Sequence, residues 1–515
     1  MKTQSWFCLT IIGSAFILST TLAFGFGYDQ GVLGYLGWAI LHGRWPYIDV
    51  WDTAFPGGML IYALVIAMCG KSALSFRAFD FIVQILTAIL IFGLARRIAG
   101  PRAGTISALF YATTYASTGY YHTAQRDGFI VPFLLLGVWS LWKWCLEPEP
   151  GWMAVAGISF GLMCIIRPTY ALLVAIVACY VLLFPNGRQR SRSLCVRDVL
   201  LLAVLCSLPM ALLVGVYVCH GALSTLIDLV SYLAVVHPKI ERAGHFQLLH
   251  VLIRYAPQIV WAGVGMSVLS PTRWRYRWHY GFLIAALGAC TLIRLWESKA
   301  YLYLFLPVYA CASVMAGIGW SFGITAIVWL ARLPRQWRQI AVASITGIVI
   351  LWPIFYAGLV DDIWRVVPNL RRSLTEGPSY RSLVADSADQ AEIARYLYEN
   401  TDPTDTVQIW GAEPGILYAA ERFAASRFVQ AHVFSCGEGN ILRVQGSWRE
   451  EFFDSITTRH PRYIVAHYAN GSLAVQEFAS FAPDCPELRN IIDQNYELEA
   501  TFGIWSVFRR KEGHD

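Results

Sequence analysis

Charge is what this sequence is short of: only 14% of its 515 residues are Asp, Glu, Lys or Arg, while 56% are hydrophobic. Soluble domains carry about 25% charged residues, so that class is excluded, and a mean hydropathy of +0.48 agrees. Other absences narrow the field. No internal repeat of fixed period appears, which removes solenoid arrays, and there is no low-complexity tract. No phosphate-cradling Gly-rich loop is present, because Gly411-Ala412-Glu413-Pro414-Gly415 is too weak a match to the P-loop or dinucleotide patterns. Most of the 12 cysteines lie inside apolar runs as small hydrophobes, and His237, His245 and His250 lack the tight spacing of a zinc site. A net charge of +6 sits in short basic tracts between apolar runs, so nucleic acid is not a partner.

What is present is one long apolar run after another. After Lys2, the run Trp6 to Phe26 is long enough for a first span and lacks a small-x-small cleavage site, so it reads as an uncleaved helix. Four basic clusters separate later runs: Arg96, Arg97 and Arg102; Arg188, Arg190, Arg192 and Arg197; Arg273, Arg275 and Arg277; Arg332, Arg335 and Arg338. The positive-inside tendency assigns all four to the cytoplasmic face. Parity then requires one crossing, not two, between the first helix's outer end and Arg96. Ala78 to Ala95 can make it, whereas Gly57 to Cys69 is too short for a core about 30 Å thick and should lie in the interface or re-enter.

Continuing this alternation predicts further helices near Ala103 to Tyr121, Phe129 to Leu146, Trp152 to Ile166, Tyr170 to Phe184, Val199 to Val218, Leu248 to Leu269, Gly281 to Trp296, Tyr301 to Leu330 and Ile340 to Leu359. The expected fold is a polytopic α-helical membrane protein of about eleven spans, N-terminus inside and C-terminus outside. A first exoplasmic loop covers 27–77, and the exoplasmic turns hold His122 to Asp127, Arg167-Pro168 and Glu297 to Lys299. The membrane domain is bounded at 1–360, and 361–515 is expected to be an exoplasmic, periplasmic α/β domain. In it "ADQAEIARYLYEN" and "REEFFDSITTRH" have helical period, "TVQIWG" and "RYIVAHY" read as strands, and alternation on both sides of Gly503 predicts a closing hairpin. An exoplasmic location would permit a disulfide between Cys436 and Cys485.

The stretch "YDQGVLGYLGWAILHGRWPYIDVWDTAFPGG", Tyr28 to Gly58, holds three aspartates among aromatics directly after the first helix. An acid there ordinarily caps a helix or stays solvated, and Asp29 before Gln30 to His42 suits an N-cap; Asp52 reads as structural. A loop rich in Trp and Tyr beside acids also suits sugars, whose faces stack on rings while carboxylates accept hydroxyl hydrogens.

These residues resemble the first exoplasmic loop of the GT-C superfamily of integral membrane glycosyltransferases, which includes protein O-mannosyltransferases and lipid A aminoarabinose transferases. The resemblance rests on Asp29-Gln30, Leu41-His42-Gly43, Pro46-Tyr47-Ile48-Asp49 and Phe55-Pro56-Gly57, followed in order by "AQRDGF" with Asp127, "GLMCIIRPT" with Arg167 and "ESKAYLYLFLP" with Lys299. Gln30 stands where Glu is frequent in the family, and a single Pro56 where two prolines are usual.

The resemblance implies transfer of a sugar from a polyprenyl-phosphate-sugar donor to a lipid, glycan or protein acceptor on the exoplasmic face, with inversion. It casts Asp29 as the catalytic base, and Arg167, Lys299 and Arg126 as cations for the donor phosphate. Asp49, Asp127 and Tyr47 are candidates for binding sugar, acceptor or a cation; a divalent Mg or Mn ion would suit Asp29, Asp49 and Asp127. Membrane lipids are the other implied partner, the bacterial inner (plasma) membrane the expected location, and a soluble nucleotide-sugar donor is disfavoured. The competing class is a polytopic transporter or lipid or glycan flippase. Snorkelling to headgroups is the ordinary alternative for Arg167 and Lys299.

Overall fold

The structure is a computed structural model that describes residues 3–183, 192–235, 251, 260–263, 277–330, 334–356, 371, 383, 388–434, 443–468, 473 and 485–511. The described helices are α1 (Thr3–Leu18), α2 (Tyr28–Leu41), α3 (Pro56–Cys69), α4 (Ala73–Ala99), α5 (Pro101–Ala116), α6 (Arg126–Leu146), α7 (Pro150–Ile166), α8 (Ala171–Leu183), α9 (Arg192–Cys219), α10 (Leu223–Val235), α11 (Arg277–Glu297), α12 (Leu306–Leu330) and α13 (Arg335–Tyr356). There follow α14 (Ala388–Asn400), β1 (Val407–Trp410), α15 (Gly415–Ala420), α16 (Arg443–Arg459), β2 (Tyr463–His467), α17 (Pro486–Asn495), β3 (Tyr496–Phe502) and β4 (Trp505–Arg510). Among the described residues, five helical stretches are long and apolar enough to cross a membrane: Thr3–Ala23, Ala73–Ala99, Arg126–Leu146, Ser193–Cys219 and Leu302–Gly323. The chain is a polytopic helical membrane protein. The expected span Leu248 to Leu269 lies almost wholly outside the described residues.

The chain forms two compact units. One contains 1–24, 77–215 and 241–372; the other contains 25–76, 216–240 and 373–515. In the first, α5 packs against α1, α12 and α13, α6 against α7, and α11 against α6, α8 and α12. Hydrophobic burial does not drive helices together in lipid, so small residues that let backbones approach matter instead. Gly157 and Gly161, one turn apart on α7, do this against α9: a Cβ on Gly161 would lie 2.6 Å from the Cys206 carbonyl and 2.9 Å from the Pro209 ring.

In the second unit, α2 packs against α3 and α15. The sheet order is β1-β2-β4-β3, with β1 and β2 parallel and the other pairs antiparallel. The strands and helices expected after 388 are observed, including the hairpin at Gly503. The loop after α2 is tied to this α/β segment: the Trp51 N–H donates to the Arg427 carbonyl at 2.8 Å, and the Gln430 amide donates to Asp52 Oδ2 at 2.9 Å. Asp52 Oδ1 accepts the Ala54 N–H at 2.6 Å, the structural role expected of it.

Two sequence expectations are corrected. Asp29 is not the N-cap of α2 but lies inside its first turn; the N-cap is Gly27, whose N–H donates to Gln30 Oε1 at 3.0 Å. Helix α5 stops at Ala116 and not at Tyr121, because the five residues after Ala116 enter a turn in which Gly119 takes φ +83°.

Candidate active site

The turn between α5 and α6 carries His122, Arg126 and Asp127, and a buried polar network in α4 and α5 braces it. Arg77, fully buried, donates from Nη1 to Thr123 Oγ1 at 2.7 Å and from Nη2 to the Tyr120 carbonyl at 2.9 Å. Asp80 holds the Tyr115 hydroxyl, 2.7 Å from both of its oxygens, and that hydroxyl accepts the Ala124 N–H at 2.9 Å. Ala124 has φ +53°, a left-handed conformation unusual for a residue with a Cβ. The network keeps it there.

Asp127, in the first turn of α6 and with no exposed side chain, meets Arg167, which caps the C-terminus of α7: Nη1 donates to Oδ2 at 2.9 Å. The same guanidinium reaches Glu297 at the end of α11, with Nη2 to Oε2 at 2.5 Å. Arg294, one turn earlier on α11 and 1% exposed, adds a second cation, its Nη1 2.9 Å from Glu297 Oε2 and 3.8 Å from Asp127 Oδ1. The Arg294 guanidinium also lies 5.5 Å from the Tyr170 ring centroid. Three helix ends thus deliver two acids and two bases to one buried cluster. Burial by itself would raise the Glu297 carboxyl, but the guanidiniums of Arg167 and then Arg294 outweigh it and hold it at about 2. Burial likewise lowers Arg167, and the Asp127 and Glu297 carboxylates reverse that, leaving it above its ordinary value.

Arg126, half-buried, opens α6, and Lys299, 9% exposed, follows Ser298 at φ +50°. The structure pairs Asp127 with Arg167 and sets Arg126 and Lys299 on the adjoining turns, whereas the sequence reading assigns Asp127 to sugar, acceptor or cation and Arg167 to the donor phosphate without joining the two. That reading misses Arg294 and Glu297. The signal was available: an Arg and a Glu three apart ending an apolar helix are costly unless paired.

In the second unit, Asp29 is half-buried in the first turn of α2, where a carboxylate is favoured by the helix dipole. Asp49 Oδ2 accepts the Trp45 N–H at 2.7 Å and Oδ1 lies 3.9 Å from Arg44. Tyr47 has no exposed surface, sits at φ +65° and donates its hydroxyl to the Ala54 carbonyl at 2.6 Å, which suits a loop brace better than sugar contact. Among the described residues no three His, Cys, Asp or Glu side chains gather as a metal site. Asp49 and Asp127 each already face a guanidinium, so neither presents the uncompensated charge that a hard cation seeks. Cys436 lies outside the described residues, and Cys485 is buried.

Against known structures, the crystal structure of ArnT from Cupriavidus metallidurans bound to undecaprenyl phosphate superposes with a TM-score of 0.60 and 13% identity, covering 99% of each chain. The Archaeoglobus fulgidus oligosaccharyltransferase in its apo form gives 0.55 and 13%, covering 99% of this chain and 75% of that one. The archaeal oligosaccharyltransferase AglB from the same organism, in complex with an inhibitory peptide and a dolichol-phosphate, gives 0.53 and 13%, covering 98% and 74%. The chain has the GT-C fold. The resemblance read from its motifs is borne out at that level. The model of the dolichyl-phosphate-mannose-protein mannosyltransferase family matches residues 53–213, which include Asp127 and Arg167 but neither Asp29 nor Lys299. No curated protein sequence matches.

Proposed function

We propose that this protein is a glycosyltransferase that moves a sugar from a polyprenyl-phosphate-linked donor to an acceptor on the exoplasmic face, inverting the anomeric centre. The observation that carries the reading is the buried Asp127–Arg167–Glu297–Arg294 cluster within a GT-C fold, bordered by two further cations, Arg126 and Lys299. Such a build is costly in a membrane protein and is retained where charge must be handled. A relative of the same fold holds undecaprenyl phosphate, and another a dolichol-phosphate with a peptide. The acceptor is a lipid, a glycan or a protein. The N-terminus is cytoplasmic and the C-terminal segment periplasmic in this reading, in a bacterial inner membrane.

The chemistry follows from the groups. Asp29 takes the proton of the acceptor hydroxyl, whose oxygen bonds to the anomeric carbon as the bond to the phosphate oxygen breaks. The electron pair leaves with the lipid phosphate, which Lys299, Arg126 and the exposed edge of Arg167 stabilise as charge grows. Arg167 and Arg294 fix Asp127 and Glu297 in place, and their charge keeps Glu297 ionised. The test is release of free lipid phosphate from polyprenyl-phosphate sugars by purified protein in lipid, wild type against Asp29→Asn. Loss of release by at least about 100-fold in a folded variant, within the usual range for a catalytic base, supports the assignment. Equal release removes Asp29 as the base, and no release from any donor by the wild type overturns the transferase.

A further inference from the structure

The helix that carries Asp29 is accompanied along its length by a distant part of the chain. Within the second unit, 411–430 runs beside α2 and in the same direction. At the start the two backbones touch: a Cβ on Gly31, two residues after Asp29, would lie 3.1 Å from Gly415 Cα. Further on, the Ala424 N–H donates to the hydroxyl of buried Tyr35 at 3.1 Å, and Trp38 packs on Phe423 with ring centroids 4.6 Å apart. Past the helix, Arg427 Nη1 donates to the Tyr47 carbonyl. A second side of α2 is held as closely, since a Cβ on Gly37 would lie 2.7 Å from the Ala63 nitrogen of α3.

The accompanying segment is itself stiff where it meets the turn of Asp29. The Gly411 carbonyl accepts the Ala431 N–H at 2.7 Å, Glu413 Oε2 accepts the Ala412 N–H at 2.8 Å, and the Tyr418 N–H donates to the Pro414 carbonyl at 3.0 Å. A side chain in an interface can change rotamer, but a backbone pressed on a backbone has no such freedom. The Gly31–Gly415 contact therefore fixes the height and rotation of the first turn of α2, and with them the direction in which Asp29 presents its carboxylate. The helix cap does not: Gly27 has no side chain, and its N–H is satisfied within the turn by Gln30. A general base must come within about 2.6–3.2 Å of the atom whose proton it removes. A displacement of that turn is thus felt in the rate of transfer before it is felt in binding.

We infer that 411–430 is the template that holds Asp29 in line, and that Gly31, Gly415 and Tyr35 are positioning residues for the transfer. The α/β segment then takes part in the chemistry through the first loop. The inference rests on the proposed function. Its test is single-turnover release of lipid phosphate by full-length protein in nanodiscs, using whichever undecaprenyl-phosphate hexose or aminopentose the wild type turns over, alongside equilibrium binding of the same donor. Gly31→Ala should slow release about 10-fold, part of the roughly 100-fold that a 1 Å misplacement can cost. Tyr35→Phe, which keeps the ring and removes only the hydrogen bond, should slow it about 3-fold. Donor affinity should stay unchanged in both variants, and in an Asp29→Asn background neither should slow release further.

Equal slowing with and without Asp29 would make these contacts supports of the fold and overturn the inference, as would weaker donor binding at an unchanged rate, or wild-type behaviour of both variants. If Gly31→Ala does not fold, Tyr35→Phe decides by the same readouts. An Asp29→Asn protein that releases lipid phosphate as fast as the wild type would remove the base itself, and the inference with it. A wild type that releases none from any donor would overturn the transferase.

Discussion

Arg294 has almost no exposed surface, yet its guanidinium faces two carboxylates, and removing it leaves Glu297 and Asp127 sharing one cation. Breaking a buried pair from one side costs about 3–5 kcal/mol, whereas replacing both partners costs far less. Arg294→Leu should therefore lower the thermal midpoint of the purified protein well beyond Arg294→Leu/Glu297→Leu. A single variant as stable as the wild type would show the pair to be idle. Glu297, held at about 2, contributes stability that is complete above the ordinary carboxyl value and is lost as pH falls through about 2. Between pH 5 and 9 it does not titrate. Glu413 runs the other way: burial lifts its carboxyl to about 7, so its proton is bound more tightly in the folded state. Stability is highest below the ordinary value of about 4.5 and falls as pH rises through about 7, by on the order of 3 kcal/mol. His467, pushed down to about 4 by burial, adds the opposite slope. Comparing Glu413→Gln with the wild type at pH 5 and 8 isolates the Glu413 part, and a Gln variant that loses as much stability as the wild type would refute it.

At the scale of elements, helix positions followed closely from apolar runs, since a span is a property of local composition. Their ends did not. Helix α5 stops at Ala116 because Arg77 and Tyr115 pull the next residues into a turn, and no pattern within 117–121 announces a grip from another helix. The packing of α7 on α9 was likewise unread, although Gly157 and Gly161 stand at the small-xxx-small spacing. A Leu at 161 would have to displace the Cys206 carbonyl and Pro209. Gly161→Leu is expected to destabilise the protein by several kcal/mol, on the order of other overpacked sites, and to abolish folding in mild detergent. A Leu variant that elutes and melts like the wild type would remove this contact from the fold's support. The site divides in the same way: Asp127 and Arg167 were legible because each breaks an apolar pattern at a helix end, while Glu297 and Arg294 were passed over although they do so too.

For the whole molecule, the proposed orientation makes a direct prediction. A reporter that is active only outside the cytoplasm, fused after Asp515, should be active, and the same reporter placed after Arg97 should not. The reverse result would invert the topology and move every candidate acid to the other face. Membrane character, the order of the helices, the α/β pattern after 388 and the superfamily resemblance were all determined by the sequence alone, because hydropathy, period and motif order are local properties that survive without coordinates. Only the tertiary structure decided that 25–76 and 216–240 belong with 373–515. Part of that grouping is carried by backbone hydrogen bonds such as Trp51 to Arg427, which any residue but proline could make. Only the tertiary structure, too, placed Arg294 against Asp127, since charges 167 positions apart become neighbours through helix packing and not through composition.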